Sequence, residues 1–215
     1  MTTTESLCRH FSRMGARLKI QRPGARQGIS VRIDVSRDRR GEFFDMRCQP
    51  GVLPEILNVQ PAARRLVLLV RDRCAKHKYL LERGERRWFV AAVPDRDVHD
   101  VRTAIKSLRP TEVKGVDAIR FGKWYLVPAV VLPAKIRATH RKARLYTWFY
   151  TGLRPNVCQE LAMFGGRSGV DYRQVGELEV YVRGYLRHPD HKTIRLDGWH
   201  RAYPDREHLA IRRSR

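Results

Sequence analysis

Hydrophobic and polar residues alternate along much of the chain, which is typical of β-strands with one buried face. Between 29 and 35, Ile or Val at every second position alternates with Ser, Arg and Asp, and this predicts a half-buried strand. A turn at 36–41 connects it to a second predicted strand at 41–48. The apolar run 66–70 predicts a strand that is buried on both faces.

Two later segments predict β-hairpins. One has strands near 78–82 and 87–93 around Gly84, and the other, DAIRFGKWYLVP, turns at 121–123. Each returning strand begins with a tryptophan, Trp88 or Trp124, which we expect to pack inward. The likeness of the two hairpins fits either a weak internal duplication or common turn rules, and we favour the turn rules.

Helical spacing of apolar residues predicts about four short helices. A capping box at Thr2-x-x-Glu5 starts one over 3–14, and Asp97 is the expected cap of a second that ends before Pro110. Two more are predicted at about 135–150 and from Pro155 to about 164. The pattern therefore predicts an α+β fold, mainly antiparallel strands and hairpins with about four short helices.

The segment PAVVLPA at 128–134 is the best candidate for a boundary between two lobes. It separates an α+β N-terminal lobe, 1–133, from a basic C-terminal lobe, 134–215. The second lobe is predicted to consist of helices followed by a β-hairpin.

The charge is extreme, at +22 with a pI near 10.8. It is spread along the chain, with net charges of +8, +5 and +9 over 1–75, 76–133 and 134–215. A folded surface of this kind attracts a polyanion, most often nucleic acid. An anionic membrane would favour a local basic cluster or a basic amphipathic helix instead. We therefore expect a nucleic-acid partner and no membrane.

Other features limit the class of protein. The sequence has no apolar run of eighteen residues and no secretory signal, so we expect a cytoplasmic, intracellular protein. Its four cysteines, at 8, 48, 74 and 158, lack the C-x-x-C spacing, and we interpret them as small core residues. No motif indicates a cofactor.

The segment YVRGYLRHPDHKTIRLDGWH, 181–200, predicts a hairpin with one apolar and one Tyr/Arg face. Aromatic rings stack on unpaired bases, and guanidinium groups hold phosphates. A basic stripe on the predicted helix 135–150 adds to this surface. The predicted nucleic-acid-binding residues are Arg137, Arg141, Arg144, Tyr181, Arg183, Tyr185, Arg187, His188, His191, Lys192 and Arg195.

Two sets of residues have the chemistry of metal ligands. The first is His188, Asp190, His191 and His200, but ligands so close in a tight hairpin tend to diverge, and no catalytic metal motif accompanies them. The second is Asp34, Asp38, Glu42 and Asp45. Asp34 and Asp45 are expected to oppose each other, and we favour pairing with nearby arginines over Mg²⁺ binding.

The sequence predicts a nucleic-acid-binding protein, a subunit of a ribonucleoprotein or RNA-guided assembly that binds structured RNA in preference to duplex DNA. Charge spread over several elements, with Arg between Tyr and Trp, favours this function. The alternatives are a metal-dependent nuclease of a mobile element or defence system, and an adaptor for an acidic protein.

Overall fold

A computed structural model of the chain describes residues 3–22, 31–71, 75–130, 140–141, 144–151, 154–162, 171–175, 179–188 and 191–207. The chain forms two compact units. The first unit comprises Met1–Leu108 and Glu207–Arg215, and the second unit comprises Arg109–Arg206.

The first unit contains two sheets and two helices. In chain order its elements are α1 (Thr3–Arg13), β1 (Leu18–Gln21), β2 (Val31–Asp38), β3 (Gly41–Cys48), β4 (Leu53–Gln60), β5 (Arg65–Arg71), β6 (Lys76–Arg83), β7 (Trp88–Ala92) and α2 (Val101–Leu108). The order β1-β3-β2 forms one sheet, with β1 parallel to β3, and β4-β5-β6-β7 forms an antiparallel meander.

The meander is covered on both faces, so the central residues of β5, 66–70, are buried. Leu66, Leu68 and Val70 belong to a core shared with α1 and β3. Val67 lies on the opposite face and packs in a second core with Ala104 of α2. This confirms the strand predicted from the apolar run 66–70. Burial of such side chains on both faces is the main stabilising contribution to this sheet.

The N-terminus of α2 is held by a reciprocal cap. The backbone N–H of Thr103 donates to Asp100 Oδ1 at 2.7 Å, and the backbone N–H of Asp100 donates to Thr103 Oγ1 at 3.2 Å. Hydrogen bonds from the Thr103 backbone N–H and then from the Thr103 hydroxyl to the Asp100 carboxyl lower the pKa of that carboxyl. The cap of the helix therefore lies three residues after the predicted cap, Asp97, because Asp100 has the hydroxyl partner that completes a capping box.

Cys48 is a core residue of the first unit. It is buried in the cluster with Phe44 and Met46, and this burial raises the pKa of its thiol to about 11. A thiol of this kind stays protonated and unreactive near neutral pH, as expected from the sequence. Cys8 is half-buried, and the other two cysteine side chains lie outside the described residues.

The second unit is built around a six-stranded sheet. Its elements are a 3-10 turn (Thr111–Val113), β8 (Ile119–Phe121), β9 (Trp124–Pro128), β10 (His140–Arg141), β11 (Arg144–Thr151), β12 (Arg154–Ala162), β13 (Asp171–Val175), β14 (Glu179–His188) and β15 (His191–Pro204). The sheet has the order β10-β13-β14-β15-β9-β8, and each pair of neighbouring strands is antiparallel. Strands β11 and β12 form a separate two-stranded hairpin.

The two predicted C-terminal helices are wrong. Residues 144–151 and 154–162 form β11 and β12, so the described ranges contain two α-helices, α1 and α2, and not about four. The run RLYTWFYT explains the difference, because aromatic and β-branched residues have high strand propensity. That propensity, together with a nearby pairing partner, outweighs the helical spacing of the arginines.

The division into units also differs from the predicted boundary near 133. The boundary between the units falls between Leu108 and Arg109, because β9 pairs with β15. The register partners run from Trp124 with Pro204 to Pro128 with His200. The hairpin 119–128 therefore belongs to the same sheet as the C-terminal hairpin. Both hairpin tryptophans, Trp88 and Trp124, are buried, as expected.

Across the described ranges, no helix combines the length and the apolar character needed to cross a membrane.

Candidate nucleic-acid interface

One face of the six-stranded sheet is apolar. Its buried residues come from β8, β9, β14 and β15 and are Phe121, Trp124, Leu126, Val182, Leu186, Leu196 and Ala202. Val182 and Leu186 thus lie on the core face of β14, as the alternation predicts. Because successive residues of a strand point to opposite faces, the intervening residues lie on the other side of the sheet.

That other side alternates aromatic and arginine side chains, and we call it the aromatic–arginine face. It consists of Tyr125, Tyr181, Arg183, Tyr185, Arg195, Trp199, Arg201 and Tyr203. The strand register brings Tyr185 opposite Arg195, Tyr181 opposite Arg201, and Tyr125 opposite Tyr203. Residues far apart in the sequence, such as 125 and 203, therefore share one surface.

Arginine guanidinium groups lie over aromatic rings at three places on this face. Arg183 is 4.7 Å from the ring centroid of Trp199, Arg201 is 4.8 Å from that of Tyr203, and Arg195 is 5.8 Å from that of Tyr185. These distances are typical of cation–π contacts. Arg183 and Arg195 are exposed, while the three rings are partly exposed, so both kinds of side chain are accessible to a ligand.

A bulge in β15 shapes the middle of the face. The register moves from Val182–His200 to Gly184–Leu196, so Arg183 lies opposite 197–199. The bulge is fixed by two contacts, a 2.9 Å contact between His200 Nδ1 and Gly198 O and a 2.8 Å hydrogen bond from Ala129 N to Trp199 O. Bulges are common beside functional surfaces, and this one contains Trp199.

Two tyrosines of the face are not available for stacking. Tyr181 is 5% exposed and Tyr125 is 4% exposed. The Arg109 guanidinium lies 6.0 Å from the Tyr125 ring centroid, and Arg109 also donates to the backbone oxygens of Val113 and Val116. The segment after Arg109 is thereby held near Tyr125. Of the predicted stacking residues, Tyr185 is accessible and Tyr181 is not.

The tip of the β14–β15 hairpin contains several predicted contact residues. His188 and His191 are register partners, and Asp190 and the side chains of Arg187 and His188 lie outside the described residues. The His191 ring is 5.2 Å from that of Phe121, and its Nε2 would lie 3.0 Å from a Cβ added at Gly122. His191 therefore packs on the β8–β9 turn, while Lys192 is exposed.

Two arginines of the predicted basic stripe, Arg141 and Arg144, lie on strands and not on a helix. Arg141 ends β10 and is the register partner of Asp171, and Arg144 begins β11. Arg137 lies outside the described residues, as do the side chains of the other two. The role of these three residues in binding therefore stays a prediction, now without the shared helix face on which it was based.

The strand register separates the histidines of the alternative metal site. His200 pairs with Val182 on β14, and His191 pairs with His188 on the same strand. Val182 and His188 are six positions apart. At about 3.3 Å per residue, this separation is roughly 20 Å, so His200 does not share one ion with the hairpin tip. Among the described residues, no group of three or more His, Cys, Asp or Glu is placed to hold a metal ion.

The acidic cluster of the first unit is neutralised by basic partners. Asp34 and Asp45 are opposed in the register, as predicted. Asp34 accepts from Arg32 at 2.5 Å, and Asp45 accepts from Arg47 at 3.0 Å and from Gln21 at 2.9 Å. This agrees with the favoured interpretation of ion pairing.

Asp38 and Glu42 have basic partners as well. Hydrogen bonds from Arg17 and then Lys19 hold the pKa of the Asp38 carboxyl well below its usual range. Glu42 accepts from Arg83 Nη1 at 2.7 Å. All four carboxylates therefore already have cationic partners from the protein itself.

Besides Tyr125, three residues of the face were not predicted from the sequence as contact residues: Trp199, Arg201 and Tyr203. Gly198 interrupts the alternation, and the sequence-based strand therefore ends near Asp197. The segment WHRAYP after Gly198 does contain a signal, because 199, 201 and 203 alternate with 200 and 202. A strand continuing through a bulge would have included them.

Comparison with known proteins gives no relative for this chain. No protein-family model matches the sequence, no curated protein matches it, and no solved structure matches the fold.

Proposed function

We propose that this protein binds structured RNA through the aromatic–arginine face of its second unit, as part of a ribonucleoprotein or RNA-guided assembly. The observation that carries the proposal is the set of three accessible arginine–aromatic contacts, Arg183–Trp199, Arg195–Tyr185 and Arg201–Tyr203. The net charge of +22 gives the general attraction to a polyanion.

The chemistry of the face matches RNA loops better than duplex DNA. Unpaired bases expose their ring faces, and these stack on aromatic side chains and guanidinium planes. Arginine also donates two parallel hydrogen bonds to a phosphate. A sheet surface with both groups side by side suits nucleotides that are unstacked from a helix, as in loops and bulges.

The first experiment is to measure the ratio of absorbance at 260 and 280 nm for protein purified from cells at low salt. Separate samples are then treated with RNase or DNase. We expect a high ratio that falls with RNase and not with DNase. Protein that is free of nucleic acid at low salt, and that binds no added RNA, would contradict the proposal.

The same preparation distinguishes the alternative functions. Cleavage of added RNA or DNA that requires Mg²⁺ or Mn²⁺ would support the nuclease. Stable capture of an acidic protein, with no RNA affinity, would support the adaptor. RNA binding that falls steeply with salt and is unchanged by chelator is the result we expect, because phosphate contacts release counterions.

A further inference from the structure

We propose that the bulge of β15 forms a specific binding site for one unpaired guanine base. This inference rests on the proposed RNA-binding function and adds a base preference to it. The site consists of Arg183, Asp197, Gly198 and Trp199. The strand register brings these residues together, because Arg183 lies opposite 197–199.

Arg183 and Trp199 form the stacking part of the site. The guanidinium of Arg183 lies 4.7 Å from the Trp199 ring centroid, and Arg183 is exposed. A flat base can therefore extend this stack. The backbone at Trp199 is held in place because the Trp199 carbonyl accepts from Ala129 N, and because His200 contacts the Gly198 carbonyl. A backbone that is already ordered reduces the entropy lost when a base binds.

Asp197 supplies the base preference. Its side chain is 83% exposed, and it pairs with Arg195 Nε at 2.9 Å through Oδ1. A carboxylate has acceptor positions for several hydrogen bonds. The Watson–Crick edge of guanine presents two neighbouring donors, N1–H and the 2-amino group, and these match the two oxygens of one carboxylate. Adenine and cytosine present a single amino donor on that edge, flanked by an acceptor. Arg195 offsets the charge of Asp197, which would otherwise repel the RNA backbone.

The experiment uses the full chain and a set of RNA hairpins with one stem and a uridine loop that contains one variable residue. That residue is guanosine, inosine, adenosine or cytidine, and affinities are measured by fluorescence anisotropy at one salt concentration. We expect the guanosine loop to bind on the order of tenfold more tightly than the adenosine loop. Inosine should be intermediate, because it lacks the 2-amino group.

Variants test each part of the site. Trp199→Ala should weaken binding of all the loops by roughly 5- to 150-fold, and Trp199→Phe should restore most of it. Asp197→Asn should remove the preference for guanosine and leave the adenosine affinity nearly unchanged. Arg183→Ala should also weaken binding of all the loops, because it removes the cation of the stack. Arg102→Ala, which removes an exposed charge from α2, is the matched control and should change binding less.

The outcomes separate the inference from the proposed function. If all four loops bind equally, or if Asp197→Asn keeps the guanosine preference, the guanine site is wrong and RNA binding stands. If no hairpin binds even at low salt, the proposed function fails and the site fails with it.

Discussion

The two units have a similar excess of positive charge but arrange it differently. Counted along the printed sequence, the first unit has 26 basic and 13 acidic residues, a net of +13, and the second has 18 and 9, a net of +9. In the first unit, arginines contact carboxylates, as in Arg83–Glu42, Arg65–Glu82 and Arg71–Glu55. In the second, three arginines lie on partly exposed aromatic rings, and one of them, Arg195, also pairs with the exposed Asp197.

Cations over rings are also present in the first unit, and they show why the difference matters. Lys19 lies 3.9 Å from the Phe43 ring centroid and also pairs with Asp38. Arg83 lies over Trp88 and also pairs with Glu42. Both rings are buried. A cation that already has a carboxylate, above a buried ring, stabilises the fold, whereas a cation on an accessible ring can bind a ligand.

The largest expected effect is a difference in stability between variants of two tyrosines of β14, Tyr181 and Tyr185. Tyr181→Ala should destabilise the second unit by about 3 kcal/mol or more, because it empties a buried aromatic position. Tyr185→Ala should change stability less and should lower RNA affinity by about 1–3 kcal/mol. Urea unfolding and RNA binding are measured for both variants. A stable Tyr181→Ala variant that fails to bind RNA would show that Tyr181 stacks on RNA despite its burial.

An intermediate effect is expected in the first unit. Glu42 has a side chain that is 16% exposed, and it accepts from Arg83 and from the Trp88 backbone N–H. Glu42→Gln should lower the free energy of unfolding by about 1–3 kcal/mol without lowering RNA affinity. The control is Asp197→Asn, at an exposed pair, where the change should be below about 1 kcal/mol. Equal destabilisation by the two variants would contradict this difference between the units.

The smallest expected effect depends on pH. The pKa of the Asp38 carboxyl is lowered from its ordinary value of 3.8 by hydrogen bonds from Arg17 and Lys19. A lowered pKa in the folded state stabilises the protein above the unfolded pKa, and this stabilisation is lost as pH falls below about 4. Asp38→Asn should therefore be less stable than the wild type at pH 6, with a difference that shrinks towards pH 2. A difference that is constant with pH would contradict the contribution of the Asp38 charge.

Local patterns predict the strands and helices that have a clear period and clear ends. Strand β3 has the predicted limits, 41–48, because the turn before it and the alternation within it are both visible. Helix α1 spans Thr3–Arg13, close to the predicted range 3–14. In these places the local sequence preference and the tertiary packing agree.

The candidate site is only partly predictable, for physical reasons. The alternation of β14 predicts which residues share a face, but it does not predict what covers them, and Tyr181 is buried. Trp199 is missed because Gly198 and the bulge interrupt the pairing of β15, and the predicted strand therefore ends near Asp197. Tyr125 and Tyr203 belong to the aromatic–arginine face because β9 pairs with β15, and these two strands are over sixty residues apart in the chain.

The most direct test of the central claim compares two triple variants, each of which replaces three arginines of one unit. One variant carries Arg183→Gln, Arg195→Gln and Arg201→Gln. The other carries Arg13→Gln, Arg39→Gln and Arg102→Gln, all at exposed positions of the first unit. The measurement is the slope of log affinity against log salt concentration for one loop-containing RNA hairpin. We predict that the first variant reduces this slope by about 2–3 and the second by less than about 1. Equal reductions, or a larger reduction for the first-unit variant, would contradict binding at the aromatic–arginine face.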